Sequence, residues 1–316
     1  MRLPADHFPR PQPSALLTLG ALRQAQGRLA ALAMPVVAAT DVPLARAAGR
    51  VLAADLQAAP DLGDPVLARG TRLAARHLPL LVGAGRATAS VLARVRVGVI
   101  ALQDDDAGPG AAGAATWIAA TLERLGAQSF EAGCRASDPK RLLETLEMFA
   151  NGCELVLVTG FLGPRQCAAV SEAQRQRKLP DAVETWRLRP FGALQVMKSG
   201  TTRVVALSAD LASAVVAFTT LVSPLVRRLQ GRHDALPEAS AAELDSGPSR
   251  DADHWCVFPA HVDPGALDSR LVLKPGPGLP AAQALAQADG LAWQAADFAT
   301  FERNAVAYFP FDTWTA

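Results

Sequence analysis

The chain has 316 residues, half of them hydrophobic, with 31 basic and 30 acidic side chains. This length suggests two or three domains, and the apolar content is enough to bury real cores. A net charge near zero argues against a nucleic-acid footprint or a polybasic membrane surface, but it leaves room for a small anionic ligand held by local charge.

The four cysteines are widely spaced and form no C-x-x-C pair, which favours reduced thiols over a disulfide framework or a zinc site. The N-terminus lacks the apolar core of a secretory signal. The most apolar long stretch, 211–226, is too short and too polar to span a bilayer. We therefore expect a soluble cytoplasmic protein.

Residues 1–93 are expected to form an N-terminal helical and extended segment. After a Pro-rich start, Ser14–Leu32 has the Ala- and Leu-rich composition of a helix. A short helix, a turn at Gly49 and an extended stretch follow, and a second short helix ends at Gly83.

Residues 94–231 predict an α/β domain. The apolar run 94–102 indicates a buried strand, and the next helix carries Ile118 and Leu122 on one face. A strand near Ser129, a helix opened by Asp138 as N-cap, and the strand 154–160 complete a β-α-β-α-β order. That order predicts right-handed crossovers and a mostly parallel sheet.

The end of this domain is less regular. Short strands are expected at 183–188 and 203–207, followed by a long apolar helix capped by Ser208 and kinked at Pro224. Polar residues 232–253 are typical of a linker. Short apolar runs between Pro and Gly turns predict a small β-rich domain at 254–316.

Ligands of open α/β sheets bind outside the carboxyl ends of the strands. Asp104, Asp105 and Asp106 follow the first strand, and adjacent carboxylates suit a hard cation such as magnesium. From spacing alone, a solvated acidic loop that caps the next helix is the more common explanation.

The same loop spells G-x-G-x-x-G at Gly108, Gly110 and Gly113, with Glu131 further on, which is the pattern of a dinucleotide-binding turn. The first glycine lies too far past the strand, and the neighbouring carboxylates would repel a pyrophosphate. The dinucleotide interpretation is therefore the weaker one.

Two further strand ends offer binding groups. Thr159, Gly160 and Gly163 combine a hydroxyl with backbone that an anion can approach. Ser208 and Asp210 lie at a helix start, where an ordinary N-cap also explains them. Arg189 could bind phosphate, although isolated arginines are commonly surface charges.

Four stretches of the chain resemble the molybdopterin molybdenumtransferase family, whose eukaryotic form is the gephyrin E domain. They contain GRVLAADL, RVRVGVIAL, FTTLVSPLVRRLQG and ALAQADGLAW, and lie at 45–65, 68–102, 218–231 and 284–293. Members of this family insert molybdate into adenylylated molybdopterin with magnesium, usually as homodimers. The resemblance implies a three-layer molybdopterin-binding-type domain flanked by a small N-terminal α+β segment and a small C-terminal β domain.

The chain also departs from the family's motifs. The domain that the family inserts between positions 64 and 68 is absent, and TGDEL is reduced to its acidic pair at Asp104 and Asp105. SGGVSVGDYD retains Gly160 but has Phe161 and Gln166 where the family has glycine and an acid. The other altered motifs are DSN at 112–114, MKPGKP at 188–193, where Arg189 and a proline remain, and LPGNP at 207–211.

The resemblance therefore implies a protein of molybdenum cofactor biosynthesis or delivery that binds molybdopterin or its adenylylated form. Thr159, Gly160, Gly163, Arg189, Ser208 and Asp210 would contact the pterin, and Asp104 and Asp105 would hold magnesium. Loss of the motif residues implies reduced or absent molybdenumtransferase activity. An active magnesium-dependent enzyme and a non-catalytic scaffold, partnering a molybdoenzyme or a full-length family member, remain alternatives.

Overall fold

A computed structural model describes residues 19–57, 66–103, 110–160, 184–187, 193–199, 201–236, 239–245, 256–263, 272–275, 281–294 and 305–314. The described residues form a small N-terminal unit, a six-stranded α/β domain and a C-terminal barrel. The mixed α/β class with a parallel core agrees with the sequence-based expectation.

The N-terminal unit is built around an antiparallel pair of strands. Helix α1 (Leu19–Ala31) leads to β1 (Ala39–Pro43), which pairs with β2 (Thr88–Leu92), and the short α2 (Leu78–Gly83) lies between them in sequence. Leu52, Leu73, Leu81 and Val91 are among the buried residues that give this unit a core of its own. The predicted turn at Gly49 is present, with φ +80.

The central sheet has the strand order β4-β3-β5-β8-β7-β6. Its elements in chain order are β3 (Arg96–Gln103), α3 (Gly110–Arg124), β4 (Gln128–Arg135), α4 (Pro139–Gly152), β5 (Leu155–Thr159), β6 (Glu184–Arg187), β7 (Ala193–Ser199) and β8 (Thr202–Ala206). Strands β4, β3, β5 and β8 are parallel, whereas β7 runs antiparallel to both of its neighbours.

Alternate residues of the parallel strands face opposite layers of helices. Val97 and Val99 pack in the cluster that contains α3, and Ile100 and Leu102 pack in the cluster that contains α4. Asp138 caps α4 as predicted, since its carboxylate accepts a hydrogen bond from the Arg141 N–H at 2.9 Å. The sheet is thus covered on both faces, which explains the continuous apolar runs of β3 and β5.

Strand β7 was not predicted from the sequence. It forms a hairpin with β8 in which Ser199 pairs with Thr202, so only two residues connect the strands. The first of these two residues is a glycine, a common feature of tight hairpins, and this local signal could have revealed the strand.

Helix α5 (Leu211–Leu229) packs against the same face of the sheet as α3. It is long and apolar enough to cross a membrane by length and composition, but 83% of its most apolar window is buried inside the protein. Its N-cap is Asp210 rather than the predicted Ser208, because the Asp210 carboxylate accepts hydrogen bonds from the Ser213 N–H and hydroxyl. Ser208 lies two residues earlier, and its hydroxyl oxygen accepts from the Asp210 N–H.

A π-helical turn, Phe218–Val222, interrupts α5 just before Pro224, the residue expected to distort it. Proline has no N–H, so Pro224 cannot donate to the Thr220 carbonyl four residues earlier, as a regular helix would require. The buried Gln26 side chain of α1 donates to that carbonyl at 2.7 Å. Helix α1 therefore supplies a hydrogen bond that α5 cannot make for itself.

The C-terminal unit is a closed five-stranded barrel of order β10-β11-β9-β13-β12. Its elements are β9 (Ser240–Leu244), β10 (Cys256–Val262), β11 (Val272–Pro275), α6 (Ala281–Gln287), β12 (Gly290–Gln294), β13 (Ala305–Pro310) and α7 (Phe311–Trp314). Trp293 and Phe309 are buried in the same apolar cluster as Phe218 of α5, so the barrel packs on the α/β domain.

Strand β9 lies inside the stretch expected to be a linker. Its buried residues are only Ala242 and Leu244, a pattern too short to be distinguished from a polar linker. It pairs with β13, some 60 residues later in the chain, and with β11. Such pairing is fixed by closure of the barrel and has no local signature.

Replacing Gln26 with leucine should lower the free energy of unfolding by about 1–3 kcal/mol, because the buried Thr220 carbonyl loses its donor. Gln24→Leu, the same change on the exposed face of α1, should alter it by less than about 0.5 kcal/mol. Denaturant unfolding of both variants measures the difference. Equal stability of the two would mean that the carbonyl is satisfied in another way.

The single tyrosine, Tyr308, is 3% exposed in the barrel core. Burial, helped by the negative charges of Asp289 and Asp312, raises its pKa from 10 to about 12. Between these pH values the unfolded chain loses the phenolic proton and the folded chain keeps it, so stability should fall as pH rises through this window. Tyrosinate absorbance should therefore titrate higher in the folded protein than in denaturant, and coincident curves would contradict this prediction.

Candidate functional site

The central sheet has one topological switch point, between β3 and β5. The chain leaves β3 through α3 to reach β4 on one side, and α4 then returns it past β3 to β5 on the other side. Connections that diverge in this way leave a crevice at the carboxyl ends of the two strands, where ligands of doubly wound folds bind. The first two predicted strand ends therefore lie side by side.

Gly160 closes the end of β5 against the end of β3. It has φ +88, and a Cβ atom there would lie 2.1 Å from the Leu102 carbonyl oxygen and 3.1 Å from the Ala111 Cβ. Only glycine tolerates both the positive φ and this contact. Gly160 thus sets the spacing of the crevice, in addition to any contact it makes with a ligand.

Thr159 lies at the same point and is fully buried. Its hydroxyl donates to the carbonyl of Ala111 in the first turn of α3 at 2.8 Å, with the Ile100 carbonyl at 3.4 Å. The hydroxyl proton is therefore used to join β5 to α3, and only the oxygen lone pairs remain for other contacts.

The third predicted strand end adjoins the same edge. A Cβ atom on Gly110, the first residue of α3, would lie 2.9 Å from the carbonyl oxygen of Ala209, which follows β8. The ends of β3, β5 and β8 therefore converge around the start of α3. Asp210 and Ser208 lie beside this point and form hydrogen bonds within the start of α5.

The N-terminus of α3 is the feature of this edge best suited to an anion. The first four N–H groups of a helix have no intrahelical partner and carry partial positive charge. Gly110 is exposed, and Gly113 has no atom within 4 Å of its Cβ position. The sequence analysis placed Gly110 and Gly113 in a dinucleotide-type glycine pattern, but it did not assign Gly110 or Ala111 to the pterin site.

Four of the predicted site residues, Asp104, Asp105, Gly163 and Arg189, lie outside the described residues. Within the described ranges, no three His, Cys, Asp or Glu side chains form a group able to hold a metal ion. The magnesium site therefore stays a prediction from the sequence.

No family model matches the chain, and no curated protein matches it. Solved structures do match. A molybdenum cofactor biosynthesis protein from Pyrococcus furiosus superposes with a TM-score of 0.66 at 19% identity, covering 90% of this chain and 95% of that one. The molybdopterin biosynthesis MoeA protein from Pyrococcus horikoshii OT3 superposes with a TM-score of 0.65 at 15% identity, covering 91% of this chain and 98% of that one.

These two matches extend over nearly the whole chain, so they include the N-terminal unit, the α/β domain and the barrel. The chain has a MoeA-like fold, as the sequence resemblance implied. At this level of identity the likeness establishes the fold alone.

Replacing Gly160 with alanine should destabilise the protein by about 2 kcal/mol or more, because the new methyl group would collide with the Leu102 carbonyl. Gly113→Ala, on the exposed side of α3, should instead stabilise it by about 0.5–1 kcal/mol through helix propensity. Thermal or denaturant unfolding distinguishes the two. A Gly160→Ala protein as stable as the wild type would show that the strand ends are not in this contact.

Proposed function

We propose that the chain binds molybdopterin or adenylylated molybdopterin at the carboxyl edge of its central sheet. It would serve molybdenum cofactor biosynthesis or delivery with little or no molybdenumtransferase activity. The main support is the fold shared along nearly the whole chain with two proteins of that pathway. The convergence of three strand ends on the start of α3 gives the ligand a place to bind.

The chemistry of this edge fits the anionic part of a pterin phosphate. The start of α3 offers N–H groups and the positive end of a helix dipole, which together favour phosphate. Gly110, the first residue of α3, is exposed and has no side chain to block the approach of an anion to these N–H groups. Gly163 and Arg189, predicted from the motif positions, would add further backbone and a cation.

Reduced catalysis is proposed because polar groups at two motif positions bond within the fold. The Thr159 hydroxyl donates to the Ala111 carbonyl, and the Asp210 carboxylate caps α5. The sequence also lacks an acid at position 166 and the full TGDEL motif before α3. Any magnesium would depend on Asp104 and Asp105, which stand at the surviving acidic positions of that motif.

The proposal also covers the cellular location of the protein and its oligomeric state. A cytoplasmic homodimer that hands its pterin to a molybdoenzyme, or that pairs with a full-length family member, is the arrangement that the resemblance suggests. Size measurement of the purified protein, and its capture with tagged molybdoenzymes, would examine both points.

Mass spectrometry of the protein purified from a host that makes molybdenum cofactor is the direct test. We expect molybdopterin or its adenylylated form at near one equivalent per chain. The chain should also bind the added pterin in calorimetry after the native ligand is stripped. An empty protein that does not bind added pterin would contradict the proposal.

The loss of activity can be tested with the same material. Adenylylated molybdopterin, molybdate and magnesium should yield no AMP above background with this chain, whereas an active transferase releases AMP. Sustained release that Asp104→Ala abolishes would instead establish the enzymatic alternative.

A further inference from the structure

Strand β4 is an edge strand of the central sheet, and its outer side faces solvent. Its neighbour in the strand order is β3, and most of its residues are exposed or half-buried. Within the part of the chain that the structure describes, no strand pairs with the outer side of β4. An open edge of this kind presents backbone N–H and C=O groups that can pair with a strand of another chain.

Hydrogen bonds at the start of β4 show which of its backbone groups face outward. The Gln128 N–H donates to the Val95 carbonyl, just before β3, at 2.8 Å. The Ser129 N–H instead donates to the Glu123 side chain at 3.0 Å. Because successive residues of a strand alternate in direction, the even-numbered residues of β4 bond to β3 and the odd-numbered ones direct their backbone groups outward.

Glu131 and Gly133 are the odd-numbered residues at the centre of β4, and both are exposed. Among the described residues, none bonds to the outward N–H or C=O groups of these two. A Cβ atom on Gly133 would meet nothing within 4 Å, so no neighbouring group of the chain blocks the edge at this point. The centre of β4 is therefore accessible to a second strand.

The charges on either side of Gly133 make β4 complementary to a second copy of itself. Glu131 precedes Gly133 by two residues and Arg135 follows it by two, and both side chains are exposed. When two copies align antiparallel about Gly133, the glutamate of each lies directly opposite the arginine of the other. Opposite charges in this position stabilise a strand pair, and like charges destabilise it. An alignment centred on Glu131 or Arg135 would place like charges opposite each other, so charge favours the alignment about Gly133.

Exposed apolar side chains belong to the same edge. In the described part of the α/β domain, only two large hydrophobic side chains are exposed, Phe130 of β4 at 39% and Met148 of α4 at 59%. Phe130 pairs with Gly98 of β3, where a Cβ atom would meet the Phe149 ring of α4, so Phe130 lies on the face of the sheet that α4 covers. Pairing of two β4 strands brings these faces side by side and covers part of this apolar surface.

We propose that two copies of this chain associate by antiparallel pairing of their β4 strands about a two-fold axis at Gly133. The Gly133 backbones exchange two hydrogen bonds, and the Glu131 backbone of each copy bonds to the Arg135 backbone of the other. The Arg135 carbonyl accepts from the Asp138 N–H at 3.1 Å, which is compatible with this pairing because a carbonyl oxygen has two lone pairs. Both copies use the same surface, so the assembly closes at two.

This pairing assigns a surface to the homodimer of the proposed function. It uses the outer side of β4 and leaves the crevice between β3 and β5 untouched, so it does not depend on pterin binding. The central sheets of the two copies would become one continuous sheet. Since the contact involves a single strand and its flank, the association should be weak and should depend on protein concentration.

Charge reversal, measured by analytical ultracentrifugation at low ionic strength, tests the alignment. Glu131→Arg and Arg135→Glu should each weaken self-association by about tenfold or more, because like charges then lie opposite each other at two places in the dimer. The variant that carries both changes should associate as the wild type does, since the charges are only exchanged. Arg86→Glu reverses an exposed charge of the N-terminal unit and is the matched control, which should leave association unchanged.

Mixing the two single variants gives an independent test. In a mixed pair every reversed side chain meets an opposite charge, so a heterodimer should form at concentrations where each variant alone stays monomeric. Residue-resolved hydrogen exchange of the wild type requires no substitution. The amides of Glu131 and Gly133 should exchange more slowly at high than at low protein concentration, because pairing protects them.

A wild-type protein that stays monomeric at every concentration would overturn this proposal, as would unchanged association in both single variants. A dimer whose β4 amides gain no protection would also overturn it, and would leave the homodimer of the proposed function with a different surface. Pterin binding is measured separately by mass spectrometry, so its failure is distinguishable from failure of the β4 pairing.

Discussion

Helix α5 is the constraint on which the architecture depends. It is apolar on nearly every side, so it is stable in a folded chain only where other elements cover it. The sheet and α3 cover one side, α1 packs on its final turns, and Trp293 and Phe309 of the barrel lie in the same buried cluster. The N-terminal helix and the C-terminal barrel are therefore parts of the α/β domain's own core. The bond from Gln26 to the Thr220 carbonyl adds a polar tie where Pro224 interrupts the helix.

The same packing fixes the two ends of the sheet. At the carboxyl edge, Thr159 and Gly160 hold β5 against α3 and β3, so the crevice at the switch point has a rigid base. At the amino edge, Gly49 and Gly126 bring the N-terminal unit against the α/β domain. Each edge thus combines close backbone contact with exposed polar groups.

Two groups that the sequence resemblance assigned to the pterin, the Thr159 hydroxyl and the Asp210 carboxylate, form hydrogen bonds within the fold. A threonine hydroxyl and a capping aspartate can each stabilise structure or contact substrate, and here both make internal hydrogen bonds. In this MoeA-like fold, these two groups therefore stabilise the structure itself.

The sequence by itself determined the elements whose signals are local. The cap at Asp138, the apolar stripe of α4, the buried runs of β3 and β5 and the turn at Gly49 all follow from neighbouring residues. Tertiary structure alone decided the rest. Strand β9 forms because it pairs with β13 when the barrel closes. Glycine is required at position 160 because the Leu102 carbonyl oxygen of β3 lies 2.1 Å from its Cβ position. The Thr159 hydroxyl donates to the Ala111 carbonyl, which only the folded chain brings near it. Contacts between residues distant in the chain leave no periodic trace, so only the folded chain reveals which polar groups remain free for a ligand.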